Sequence, residues 1–558
     1  MVNIGMRKKI IVKYCIIIFS LALLGTISFT TFALTSDSFG ALFNGYVNVV
    51  SPDLKKPDMP QRQTVIITKD STDIVIQSGY NYIFEGNQDW GSKDNPIDLN
   101  NYTVIKGTLD KPLDAYIDGG GYYFKLNLNY LQAPNGLLGV FSGAISNFNL
   151  YAGQIEPSSE AVVFASTLTK DGVIFNCENY VNASAYQGAA AGFVKVAEGL
   201  ISKSVNYGKI DANSFAAGIA YSVKGKLVNC ENYGEIESKN EQAAGIAWTV
   251  HGALNNCQNF GNILGNKGAA GIAVKADGAA INNCKNGLNN EKDKIKIKAN
   301  SGPAAGIVFE AFNGSAIINC ANYASINGRG AFGVCYSVIG NIIDTQNYGD
   351  MTSYQSSAGI ADTVQGELTR VYNYGNIIAD NTKASGLAHS VIGNINESHN
   401  LGQVSTIGGS AVGLVYEIKG NITDSSNSGI VQKTGWGNAN VAGIACLAEG
   451  KIESVKNLGR IVVENTAQYV GGIAAVMKGQ ILNSSSEGKI AQNNEYQFAI
   501  IGGITAVLEN VQGALIKDSR FIGGFEIKSK SANYHPIACN YPKGSIVNCS
   551  GMGIIYDL

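Results

Sequence analysis

Proline is scarce. The 558 residues include 10, and between Ser158 and His535 the only one is Pro303. A chain that keeps proline out of so long a stretch needs nearly every backbone N–H, as a β ladder does. Charge is low as well, with 15% Asp, Glu, Lys and Arg and a formal net charge of −2. That excludes a coiled coil and leaves no electrostatic reason to expect a nucleic acid partner. The 45% apolar content excludes a disordered tail. The four histidines, His251, His389, His399 and His535, show no HExxH or other metal spacing. No CxxC, P-loop, nucleotide fingerprint or nucleophile elbow is present, and no window reads as an amphipathic helix.

One apolar run stands apart. Arg7, Lys8, Lys9 and Lys13 precede a stretch from Cys15 to Phe29, followed by Thr31-Phe32-Ala33. A basic start, an apolar middle and small residues at the end describe a secretory leader, residues 1–33, and hence a secreted or cell-surface protein. Uncleaved, the stretch from Tyr14 to Leu34 would just span a bilayer and is the one route to a membrane. Cys15 has no lipobox before it, and no LPxTG-like sorting signal lies near Leu558.

The rest is built by repetition. A segment like AAGIA recurs with its glycine at 192, 218, 245, 271, 306, 333, 359, 386, 413, 443, 472 and 503, mostly in steps of 26 or 27. A second element, GxIxxC or GxLxxS, follows each, as in Gly225 to Cys230 and Gly393 to Ser398. A third, Asn-Tyr-Gly or a variant, closes the unit: Asn206-Tyr207-Gly208, Asn232-Tyr233-Gly234, Asn373-Tyr374-Gly375. Runs of three to five apolar residues, rich in Ile and Val and broken by Gly or Asn, are strands rather than helices. About 27 residues make one turn of a three-sided solenoid in which each strand pairs with its counterparts one turn up and one turn down. The expected fold is an all-β, right-handed parallel β-helix of about fifteen coils over residues 101–558. At the strand spacing its length is about 70 Å. Residues 34–100 supply a small β-rich cap and link. The asparagine before each glycine is expected to take αL corners and to stack its amides along the axis.

Nine cysteines follow the leader, and Cys177, Cys230, Cys257, Cys284 and Cys320 share one repeat position. Parallel side chains on neighbouring turns hold their Cβ atoms about 4.8 Å apart, wider than the roughly 3.8 Å of a disulfide. Buried free thiols are expected. The insertion around Asn290 to Ala299, with its EKDKIKIK stretch, reads as a loop or added hairpin.

Gly136-Leu137-Leu138-Gly139-Val140-Phe141 with Gly143-Ala144-Ile145 resembles the GLUG motif of bacterial surface and secreted proteins. Ile105 to Asp110 with Asp118-Gly119-Gly120-Gly121 resembles the GTFDG-G lead-in of that family, and the AAGIA turns look like degenerate copies. Leu138 and Val140 depart from the pattern, where an aromatic is more usual. The resemblance covers roughly residues 100–557 and implies a β-helix and a cell-surface setting, with no catalytic residue.

Two repeat columns carry candidate chemistry. Three residues past the AAGIA glycine lie Tyr221, Trp248, Val274, Phe309, Tyr336, Asp362, His389 and Tyr416. Facing out, the rings Tyr221, Trp248, Tyr336 and Tyr416 with His389 would bind sugar faces. Alternation with Ile219 and Val223 instead places the column inside, with Asp362 and His389 as a buried pair. Four residues past the middle glycine lie Asn229, Asn256, Asp344, Arg370, Glu397 and Asp424. Acids beside an arginine are what a polysaccharide lyase or hydrolase needs, with calcium as a possible cofactor; an exposed ladder of ion pairs is the plainer account. The sequence thus points to an adhesin or display scaffold for a glycan or a surface protein, rather than an enzyme. A carbohydrate-active enzyme and a self-associating fibre or coat protein are the alternatives.

Overall fold

The computed structural model describes residues 54–558 except 87–89, 127–134, 152–157, 290–294, 496–497, 553 and 557–558. The expected leader and the alternative membrane span lie outside the described residues. Among those residues no helix is long and apolar enough to cross a membrane.

The chain winds as a parallel β-solenoid of the right-handed type with about 17 turns. A representative turn contains Ala220–Val223, Lys226–Val228, Glu231–Asn232, Ile236–Ser238 and Gln242–Ala244. The three expected segments are therefore five, because corners split two of them. Like positions stack: Ala220 on Ala247, Leu227 on Leu254, Asn232 on Asn259, Ile236 on Ile263 and Ala243 on Ala269. One large apolar core runs through the turns, with Ile219, Leu227 and Ile236 fully buried in it.

The ladder begins earlier than residue 101. Gln63–Ile67 pairs in parallel with Tyr80–Phe84, whose next neighbours are Tyr116–Asp118 and then Ala144–Ser146. Much of the segment expected as a cap is therefore already solenoid, and the turns outnumber fifteen. The EKDKIKIK stretch is likewise not all insertion. Lys296–Ala299 is a regular strand between Ile263–Gly265 and Ser325–Gly328, with Ile297 and Ala299 inward and both lysines outward. Its alternation is the ordinary in-and-out of a strand with one solvated face.

The asparagine columns trade places with expectation. Asn206, Asn232, Asn259 and their equivalents are extended strand residues, fully buried. In most of them Nδ2 donates both to the carbonyl two residues on and to Oδ1 of the next asparagine. In Asn373 these bonds reach Gly375 O at 2.9 Å and Asn400 Oδ1 at 2.7 Å. The amide row runs unbroken from Asn179 to Asn457. It also explains the AAGIA glycine. A Cβ on Gly359 would stand 2.4 Å from Asn373 Cγ and 2.0 Å from the Gly386 carbonyl oxygen, so only glycine lets the turns close over the row.

The αL corner falls elsewhere, on the column four past the middle glycine: Asn229, Asn256, Asp344, Arg370, Glu397 and Asp424 all have φ between 47° and 55°. A single αL residue there turns the chain from one strand to the next. Asparagine is the favoured occupant, and its amides form a second, outer row through Asn229, Asn256 and Asn283 at 2.7 and 3.1 Å.

The described cysteines are free and, apart from Cys539, buried. Cys230, Cys257 and Cys284 donate to backbone oxygens of the turn below at 3.4, 3.6 and 3.7 Å. Burial pushes the Cys177 thiol up to about 12, so it stays protonated.

Candidate binding cleft

The column three past the AAGIA glycine lies outside the central core, which corrects the inward placement drawn from alternation. The cause is local. Ile219 and Ala220 both point inward across the corner after Gly218, so the alternation slips by one and Tyr221 turns out. The ladder shows the slip as well: Val194 pairs with Ala220 and Val196 with Ser222, while Lys195 and Tyr221 are passed over. The column packs in a lateral groove against the outward alanines Ala244 and Ala270, as a small apolar cluster with Val274, Phe309, Trp248 and Tyr336.

The opposite wall of the groove is the position three residues before the same glycine, and its size decides where the groove is open. Phe215 fills it over Trp248, ring to ring at 4.5 Å, with Tyr221 stacked beneath at 5.1 Å. Lys275 Nζ closes the other side of Trp248 at 5.1 Å. Farther along, Lys383 Nζ sits 3.8 Å from the Tyr416 ring centre. Between these stretches the wall is Pro303, Gly330 and Ser356, and the column supplies Tyr336 and Asp362. Small residues facing a ring and a short acid leave a cleft of about 290 Å³, floored by the Phe332 ring 5.4 Å from Tyr336.

His389 lies behind Asp362, the acid of the cleft. It is buried, with Nδ1 2.6 Å from Asp362 Oδ1 and Nε2 3.0 and 3.1 Å from the Ser357 and Lys383 carbonyl oxygens. Both ring nitrogens are thus engaged by oxygen atoms of the protein itself. No ring nitrogen is left to take a proton from a substrate, and the pair acts as a strut tying the two walls. Burial first, then the charges of Asp362 and Glu310, raise the Tyr336 phenol, which remains a neutral donor and ring surface.

Of the sequence candidates, the structure brings Tyr336, Asp362 and His389 together. Tyr221, Trp248 and Tyr416 share the groove but are covered by Phe215, Lys275 and Lys383. The acid and arginine column stands apart, on the αL corner. Arg370 forks onto Asp344 at 2.5 and 2.9 Å, and Glu397 and Asp424 are exposed. Open to solvent, that row is screened by water and holds no enclosed reaction volume. Among the described residues no group of three or more His, Cys, Asp and Glu side chains is arranged to hold a metal ion.

A second aromatic column escaped the sequence reading because it hides in the turn motif. The tyrosines of Asn-Tyr-Gly and of its variant Asn179-Tyr180-Val181 lie on the outside and stack: Tyr180 on Tyr207 at 4.6 Å, Tyr207 on Tyr233 at 5.2 Å, Tyr348 on Tyr374 at 4.6 Å. With interplanar angles of 12°, 17° and 3° their faces cover one another. Edges and hydroxyls remain, so this column is cladding rather than a sugar platform.

No family model, curated protein or solved structure matches the chain. Fold and site together define a parallel β-solenoid with a lateral groove that is open where its wall residues are small.

Proposed function

We propose that this chain is an exported β-solenoid of the GLUG-motif kind that serves at a bacterial surface as a glycan-binding adhesin or display scaffold. The observation that carries the reading is the cleft between Pro303, Gly330 and Ser356 on one side and Tyr336 and Asp362 on the other. A half-buried ring beside hydroxyl, amide and carboxylate groups is the surface a sugar needs: C–H faces on the ring, hydroxyls to the polar rim. His389 has both nitrogens occupied and the outer acids stand in open water, which supports binding over cleavage.

The test is a glycan array followed by calorimetry on the strongest hits, with Tyr336→Ala and Ser356→Trp. Ser356 is half exposed on the wall, and a ring there would do what Phe215 does over Trp248, filling the groove while leaving the core untouched. Binding lost in both variants with unchanged melting supports the reading. Binding to no glycan, or binding indifferent to both substitutions, rules it out.

A further inference from the structure

A second cleft, of about 610 Å³, adjoins the first around the corner of the same turns, and Ser301 and Arg329 line both. Its wall carries Lys298, Thr352, the largely exposed Tyr354 and Asp380. Arg329 thus stands on the ridge between two depressions, with Tyr336 in one and Tyr354 in the other. Its side chain is exposed and makes no ion pair among the described residues, whereas Arg62, Arg370 and Arg460 each hold a carboxylate. The nearest acid of the first cleft is taken: Asp362 is bound by His389 at 2.6 Å. Lys298 and Asp380 both line the second cleft. The ridge therefore carries an exposed guanidinium without an ion pair among the described residues, flanked on each side by an aromatic ring and hydroxyl or amide groups.

We propose that the two clefts form one site for an acidic oligosaccharide, with a uronate carboxylate held by Arg329 on the ridge and flanking sugar rings lying against Tyr336 and Tyr354. The fork of an arginine matches a carboxylate with two parallel N–H···O bonds, and an exposed guanidinium gives up little hydration to do so. This inference rests on the glycan-binding reading and adds the ligand's charge class to it. Nothing in the repeat requires an arginine at 329; the preceding and following turns carry Ser301 and Gln355 beside the first cleft.

The test compares three probes by calorimetry at 50 and 300 mM salt: oligogalacturonates, neutral xylo-oligosaccharides and sulfated carrageenan oligosaccharides. The proteins are the full chain, Arg329→Met and Tyr336→Ala, each checked by circular dichroism and melting. Expected is preferential binding of the uronate, weakened by salt, reduced about 10- to 100-fold in Arg329→Met to the level of the neutral probe, and reduced for every probe in Tyr336→Ala. Neutral binding equal to uronate binding, or uronate binding unchanged in Arg329→Met, overturns the acidic class while glycan binding stands. Sulfated probes bound as tightly as the uronate reduce the site to nonspecific anion attraction and overturn the carboxylate assignment. No binding of any probe by the intact chain overturns this inference, and the array result then decides whether glycan binding falls with it.

Discussion

Replacing Asn373 with alanine probes the inner amide row at its middle. The side chain accepts from Asn347 Nδ2 at 2.8 Å and donates to Gly375 O and Asn400 Oδ1. Truncation therefore orphans one N–H of Asn347, the Oδ1 of Asn400 and the carbonyl of Gly375, all in fully buried surroundings. At about 1–3 kcal/mol per orphaned group the cost is about 3–9 kcal/mol, toward the lower end if a water occupies the space left behind. Because each turn touches only its neighbours, the loss is local: hydrogen exchange should accelerate in strands of the turns that hold Asn347, Asn373 and Asn400 and stay slow near Asn206. Asn373→Asp adds a sign. The introduced carboxyl faces two acceptors, so its folded pKa lies above the unfolded value of about 3.9; the variant is least penalised below that value and loses stability as pH rises through the raised one. Denaturant melts across pH 3 to 8 and exchange mapped by mass spectrometry read both effects. A loss under about 1 kcal/mol for Asn373→Ala with unchanged local exchange would refute the claim that the row holds the turns together.

Glu397→Asn should raise stability by about 1 kcal/mol, since asparagine takes the αL corner more cheaply than glutamate; a loss of glycan affinity without a stability gain would show that the acid has a working role instead. Burial pushes Asp118 up, but Lys56, Asn147 and the Gly120 N–H outweigh it and hold the carboxyl below its ordinary value. Its contribution is present above the unfolded pKa of about 3.9 and is lost as pH falls through the depressed folded value, so wild type should lose more stability than Asp118→Asn between pH 5 and 2 in thermal melts. A thiol reagent at pH 8 should reach Cys539 alone among the described cysteines of the folded chain and the others only in denaturant; fast native labelling of several would contradict the buried thiol column.

Strand order, period and the amide row were legible because each is a repeated constraint: the same residue type returns every 26 or 27 positions and can only stack on itself. What went astray were places where one turn bends. Parity along Ile219, Tyr221 and Val223 suggested a buried column, yet a corner that turns two successive residues inward moves the phase, and no propensity at Gly218 announces it. The αL residue was sought before the glycine of Asn-Tyr-Gly, although Lys203, Arg370 and Glu397 hold αL geometry despite being poor at it. Their variety in type concealed a position fixed by backbone shape alone.

Repetition also limits where a specific ligand can sit. A column that continues unchanged offers the same contacts at every rung, and its members use their faces on one another, as Tyr180, Tyr207 and Tyr233 do. A unique site needs a place where the period fails on the surface while holding in the core. The wall position does this, running from Phe215 through Gln242, Gly268, Pro303, Gly330 and Ser356 to Lys383, while the small residues beside it, Ala216, Ala243, Ala269, Ala304, Ala331, Ser357 and Ala384, stay buried. The sequence signal for the cleft was therefore a loss of bulk at one column, legible only once the column three past the glycine is known to face the same groove. Selection for binding can act on that wall at little cost to the ladder, because the residues that change there donate nothing to the amide row and occupy none of the core.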